Sequence, residues 1–179
     1  MTVNQQYLNN YFGNVWHLNS DPSNKQSKSG LQLLTQINDL ESVIDVGCGT
    51  NPFKGKIKNL VGVDPAFDQA DVKCTIDDFV TEDQFDVALC LGSINFGSVI
   101  DIERQITKVV SILKPKSRIF WRCNPGKQDH PDPACKEIDF YPWTIEEHVR
   151  LSDKFGFRLV ECTWENEGRR IYAEWSRLV

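Results

Sequence analysis

The stretch Val43-Ile-Asp-Val-Gly-Cys-Gly49 ends an apolar run on a carboxylate and then turns through two glycines. Glycine has no Cβ, so Gly47 and Gly49 allow a left-handed backbone and let another group lie against the main chain. A second apolar run, NLVGVD, closes on Asp64 and Pro65. A carboxylate in that position can accept both hydroxyls of a ribose, a bidentate contact that a neutral side chain does not match. The plain alternatives are a tight strand-to-loop turn at the glycines and a solvated turn aspartate before proline. Two acidic strand ends around one glycine turn are harder to explain by turns alone.

The residues around the turn also discriminate between nucleotides. A dinucleotide-binding turn reads Gly-x-Gly-x-x-Gly, its third glycine allowing close helix–strand packing and its helix N-terminus holding a pyrophosphate. Here Pro52 stands where that glycine should be, and Asp45, just before the turn, would repel a diphosphate. The same carboxylate suits a ligand with positive charge. A nucleoside bearing a cationic group is favoured, and a nicotinamide-dependent oxidoreductase is disfavoured.

These residues must be held at one edge of a sheet. VIDVG, NLVGVD and FDVALCLG read as short buried strands, ADVKCTI as a weaker one, and SRIFWRC as a further strand. Helical spacing of Leu31, Leu34, Ile37 and Leu40 predicts a helix from about Ser23 to Asp39. DIERQITKVVSILKP predicts another, with Ile102, Ile106, Val109 or Val110, and Leu113 on one face and Pro115 as its stop. Thr144 and Glu147 have the spacing of a capping box, so a third helix should run from Ile145 to Phe155. FRLVECTW and RRIYAEWSRL flank the turn-forming ENEG and read as a hairpin. Strands alternating with helices argue for a parallel α/β sheet with an antiparallel edge, whose ligands bind outside the carboxyl ends of the strands.

DVGCGTNP, VGVDP, IDDF, FDVALCLG and LKPKSRIF, in that order, resemble the class I S-adenosylmethionine-dependent methyltransferases. The resemblance covers roughly residues 40 to 178. It implies a Rossmann-like, doubly wound α/β fold in a single compact domain, with a mostly parallel sheet and a C-terminal antiparallel β-hairpin. It also implies S-adenosyl-L-methionine as cofactor. Asp45, Gly47, Cys48 and Gly49 would hold the methionine part, Asp64 with Pro65 the ribose, and Asp77 or Asp78 the adenine amine. Ile76 and Phe79 would be apolar walls, and Leu91, Gly92 and Ser93 would lie beside the sulfonium. Lys116 and Ser117 replace the glycines usual before the fifth strand, in a loop that is structural. The segments after the first two strands, GTNPFKGKIKN and PAFDQ, are too short and too interrupted for full helices. One sheet face should therefore be thinly covered, with room for the N-terminal segment or a second subunit in a homodimer.

Methyl transfer from a sulfonium is an in-line displacement, so alignment supplies much of the rate, and a base is needed only for a nucleophile that must lose a proton. The acceptor expected is a small molecule or a nucleobase-containing compound. The D/N/S-P-P-Y/F motif of amino-methylating DNA enzymes is missing: Ser93-Ile-Asn95-Phe96 keeps its ends and loses both prolines. Cys123 is read as a buried structural cysteine rather than a nucleophile. The loop 123–143 is long and proline-rich, where the family often builds acceptor pockets. It carries His130, the candidate base, and Tyr141 and Trp143, which form an aromatic wall or pack under the loop. Residues 1–30, with Tyr7, Tyr11, Phe12 and Trp16, form an accessory segment expected to close over the cofactor as a lid, and residues 31–179 form the methyltransferase domain. A non-catalytic binding module on the same fold is the competing reading. Intact Asp45, Gly47, Gly49 and Asp64 weigh against it.

The bulk properties agree with one globular enzyme domain: 179 residues, 40% hydrophobic, 25% charged. The net charge of −5 does not favour polyanions, and Arg169, Arg170 and Arg177 read as solvated surface. His17 and His148 are expected to be exposed and without a chemical role. Six scattered cysteines lack the spacing of a disulfide framework or a metal site. With neither a long apolar run nor a signal-like start, a cytoplasmic chain with no membrane partner is expected.

Overall fold

The computed structural model describes residues 4–16, 26–126 and 132–177. Six strands form one sheet: β1 Ser42–Val46, β2 Asn59–Val63, β3 Phe85–Leu91, β4 Leu113–Cys123, β5 Arg158–Glu165 and β6 Arg170–Ser176. Their order is β2-β1-β3-β4-β6-β5. The first four are parallel, and β6 runs antiparallel to both β4 and β5. From β1 the chain passes to β2 on one side and returns to β3 on the other. The strand order therefore reverses at the carboxyl end of β1, where such sheets bind ligands.

Alternation along the strands divides the core in two. One face carries Ile44, Val46, Ala88, Cys90, Ile119 and Trp121 and is covered by two helices, α2 (Val99–Ser111) and α3 (Ile145–Lys154). Ile102, Ile106 and Val109 of α2 are fully or nearly fully buried there, each contributing about 1.5–3 kcal/mol of burial. The other face carries Val43, Val87, Leu89, Phe120 and Tyr172, with no α-helix over it among the described residues. Leu33, Phe53 and Ile57 cover it instead. The helix α1 (Gln5–Asn10) continues as a wider π-helical turn over Tyr11–Trp16.

The start of α2 is fixed by a full capping box that the sequence reading overlooked: the Asp101 carboxylate accepts from the Ser98 amide (2.9 Å), and the Ser98 hydroxyl accepts from the Asp101 amide. At α3 only half of the expected box forms. Thr144 accepts from the Glu147 amide (3.1 Å), but the Glu147 carboxylate turns to Tyr141 and Arg150.

Three expectations are corrected. The helix from Ser23 to Asp39 is reduced, among the described residues, to one 3-10 turn at Leu31–Thr35; Gly30 precedes it and supplies no side-chain cap. ADVKCTI is not a strand. It touches the sheet by a single bridge, Val63 to Val72, because the Asp71 carboxylate takes the Gly62 amide (2.8 Å) and the PAFDQ link is too short for a parallel crossover. His148 is not exposed. It lies fully buried on α3, stacked on Trp143 with ring centroids 4.6 Å apart. Neither of its nitrogens has a described hydrogen-bond partner, and burial pushes its pKa down to about 3.

Candidate active site

The turn after β1 is shaped by positive φ at Gly47 (69°), Gly49 (55°) and Asn51 (56°). The Gly47 and Cys48 amides donate to the Val63 carbonyl (2.7 and 3.1 Å), locking the turn to the end of β2. Asp64 completes that lock. Its Oδ2 accepts from the Gly49 amide (2.9 Å), and its Oδ1 from the amides of Ala66 (2.7 Å) and Phe67 (3.1 Å). A carboxylate has about four lone-pair sites, so one remains for a ligand.

The two glycines serve different purposes. A Cβ on Gly47 would overlap the Cβ of Ser93 and stand 3.3 Å from its Cα, so the protein itself occupies that space. A Cβ on Gly49 would meet nothing within 4 Å. Bare main chain at Gly49 borders an open cavity of about 450 Å³ at the carboxyl ends of β1 to β4. That volume lies in the range of small-molecule sites.

Gly47, Gly49, Asp64 and Pro65 line this cavity on the β2 side, with Ile76 and Asp77 beyond them. Leu91, Gly92 and Ser93 line it at the end of β3. Four expected cofactor contacts lie off the wall. Asp78 points away and accepts from the Thr75 hydroxyl (2.7 Å), while Phe79 packs into the α2-side core. Cys48 is buried against Gly62. Asp45 sits beneath the turn, 3% exposed, with no hydrogen bond to any described residue. Burial, and then the Asp64 charge, push its carboxyl up to about 7. His130 lies outside the described residues.

Leu8, Phe12 and Trp16 of the N-terminal segment form part of the cavity wall. Leu8 and the nearby Tyr11 pack on Cys135 and Ile138 of the loop after β4. Phe12, Phe96 and Phe140 form a row of edge-on or tilted rings 5.3 and 5.4 Å apart. Tyr141 and Trp143 are buried beneath that loop, where Trp143 Nε1 donates to the Ile94 carbonyl (2.9 Å). Cys123 is buried on the helix-covered face with its thiol pKa pushed well up, which removes it as a nucleophile.

The reading of Arg170 as solvated surface is overturned: it is half-buried and lines the cavity beside Arg122 and Asn124, while Arg169 borders the cavity and stays exposed. Arg122 and Arg170 are half-buried on the face away from α2 and α3, since Arg122 pairs with Tyr172 in register. Burial lowers the pKa of both, and Arg122 lowers that of Arg170 further, to about 10. The sequence reading missed Arg122, Asn124, Phe96 and Phe140. Arg122 carried a usable signal, since a charge inside the apolar strand IFWRC has to face something polar.

No protein-family model matches the chain, and no curated protein matches it in sequence. Solved structures do match in shape. The 1,6-didemethyltoxoflavin-N1-methyltransferase of Burkholderia thailandensis, with 1,6-didemethyltoxoflavin and S-adenosylhomocysteine bound, superposes with a TM-score of 0.74 at 15% identity. The match covers 98% of this chain and 87% of that one. The N-methyltransferase NodS of Bradyrhizobium japonicum, with S-adenosylhomocysteine, gives 0.69 at 16% identity, covering 96% and 97%. The magnesium protoporphyrin IX methyltransferase of Synechocystis, with S-adenosylmethionine, gives 0.66 at 12% identity, covering 99% and 98%. The protein has the fold of the class I S-adenosylmethionine-dependent methyltransferases. Its departures are the missing helices between β1 and β2 and the strand reduced to Val72.

Proposed function

We propose that the protein is an S-adenosylmethionine-dependent methyltransferase acting on a small molecule. The observation that carries this reading is the Gly49–Asp64 pair, which sets exposed main chain and a fixed carboxylate on a cavity at the point where the strand order reverses. The alternative small-molecule site, a dinucleotide cleft, needs a helix N-terminus under the turn; residues 47–58 form turns only.

In this reading the remaining acceptor site of Asp64 takes a ribose hydroxyl, and Asp77, held by Arg104 at 3.1 Å, faces the adenine. Asp45 is a negative pole beneath the turn, opposite the cationic end of the ligand. The cofactor, when bound, would supply an activated methyl group for in-line displacement by the acceptor, with the carbon–sulfur electron pair leaving on sulfur. Ser93 and Gly92 lie where the two reactants meet. Phe12, Trp16 and Phe96 keep water from that point, with residues 5–16 acting as a lid. A non-catalytic module would not need walls on the far side of Ser93, and the cavity continues there to Arg122 and Asn124.

Calorimetry with S-adenosylmethionine, S-adenosylhomocysteine and NAD tests the reading. Binding of the first two and indifference to NAD is expected; NAD binding, or indifference to all three, would overturn it.

A further inference from the structure

Three arginines line one end of the cavity of a chain whose net charge is −5. Arg122 differs from three arginines elsewhere on the protein. Arg104, Arg118 and Arg150 each meet a carboxylate, at 2.8, 2.9 and 2.9 Å. Among the described residues Arg122 has no hydrogen-bond or ion-pair partner, although it is half-buried. The acid that acts on its charge, Glu165, has its carboxylate committed to Ser29, accepting from the amide (3.2 Å) and the hydroxyl (2.6 Å). A second cation, Arg170, stands on the adjacent antiparallel strand and the same sheet face. A half-buried guanidinium with no direct partner is costly unless an anion joins it.

The position of this pair separates it from the nucleoside end. Asp64 follows β2, and Arg122 lies on β4, three strand intervals away, or roughly 14 Å along the sheet. Leu91, beside Ser93, is the register partner of Arg122, so the arginine stands on the far side of Ser93 from the nucleoside end. The aromatic row of Phe12, Phe96 and Phe140 lines the same cavity.

We infer that the methyl acceptor is a flat, apolar small molecule carrying an oxyanion, a carboxylate or a phosphate, which Arg122 grips in the two-pronged way that guanidinium favours. The body of the acceptor lies along the phenylalanine row, and Arg170 and Asn124 flank its charged end. This rests on the methyltransferase reading for the name of the ligand, and on the arginine geometry alone for its charge.

The test uses the full chain saturated with S-adenosylhomocysteine and titrated calorimetrically with benzoate, phenyl phosphate, benzamide and benzylamine. Benzoate or phenyl phosphate is expected to bind at least tenfold more tightly than the neutral and cationic rings; which of the two wins tells carboxylate from phosphate. Arg122→Gln should erase the preference and Arg122→Lys restore part of it, with S-adenosylhomocysteine affinity changed less than twofold. Equal binding of benzamide, preference for benzylamine, or no binding of either anion would overturn the inference. So would a tenfold loss of S-adenosylhomocysteine affinity in Arg122→Gln, which would give the guanidinium to the cofactor's own carboxylate. Should S-adenosylhomocysteine itself not bind, the methyltransferase reading fails separately, and the anion preference of the unliganded protein still decides the charge of the ligand.

Discussion

Gly47 and Ser93 are packed so closely that no side chain fits between the turn after β1 and the end of β3. The contact joins the two strands that flank the reversal of the sheet, so it fixes the floor of the cavity. Gly47→Ala should therefore be more damaging than Gly49→Ala, although both carry positive φ. The strain of a left-handed alanine costs about 1–2 kcal/mol at either position. At Gly47 overlap with Ser93 adds about 1–3 kcal/mol. Thermal unfolding of the two variants checks the order, and Ser93→Gly should rescue Gly47→Ala in part and Gly49→Ala not at all.

Asp64 holds three backbone amides as well as facing the cavity. Asp64→Ala should weaken S-adenosylhomocysteine binding by about 1–3 kcal/mol, from loss of charge-assisted hydrogen bonds. Calorimetry on the folded variant measures it; an unchanged dissociation constant would remove Asp64 from the site.

The sheet and its two acidic strand ends were legible because apolar runs, closing glycines and aspartates are local signals. Apolar spacing placed α2, and the Thr144 cap placed α3, within a few residues. What escaped was set by tertiary contact. Asp71 captures the Gly62 amide and so ends a strand that its composition favoured. His148 has a polar side chain, yet three tryptophans, Trp121, Trp143 and Trp175, enclose it. Arg170 reads as surface next to Arg169, and only pairing of β6 with β4 turns it toward Arg122. The arginine end of the cavity thus depends on strand order, which no short motif encodes.

His148 predicts an acid sensitivity. Its folded pKa of about 3 lies below the unfolded value near 6.5, so below that value the unfolded chain binds the extra proton. Stability should fall as pH drops from about 6.5 toward 3, by up to roughly 1.4 kcal/mol per unit from this group. Denaturant unfolding of His148→Phe should show a shallower loss over that window; an identical slope would mean the imidazole takes its proton without unfolding.

Asp45 predicts a dependence of the same sign for ligand binding. Its carboxyl, raised to about 7, is mostly neutral in the empty site below that pH. A cationic ligand favours the carboxylate, so binding should release a proton near and below pH 7, and affinity should rise as pH climbs through that value. Calorimetry in buffers of different ionisation enthalpy counts the proton, and Asp45→Asn should abolish its release.

A crystal structure with S-adenosylhomocysteine tests the central claim most directly. The account predicts a ribose hydroxyl within hydrogen-bonding distance of the Asp64 carboxylate, the chain of the amino acid over Gly49, and the sulfur directed past Ser93 toward Arg122. Density for the nucleoside at the arginine end, or a cavity left empty at saturating ligand, would contradict it.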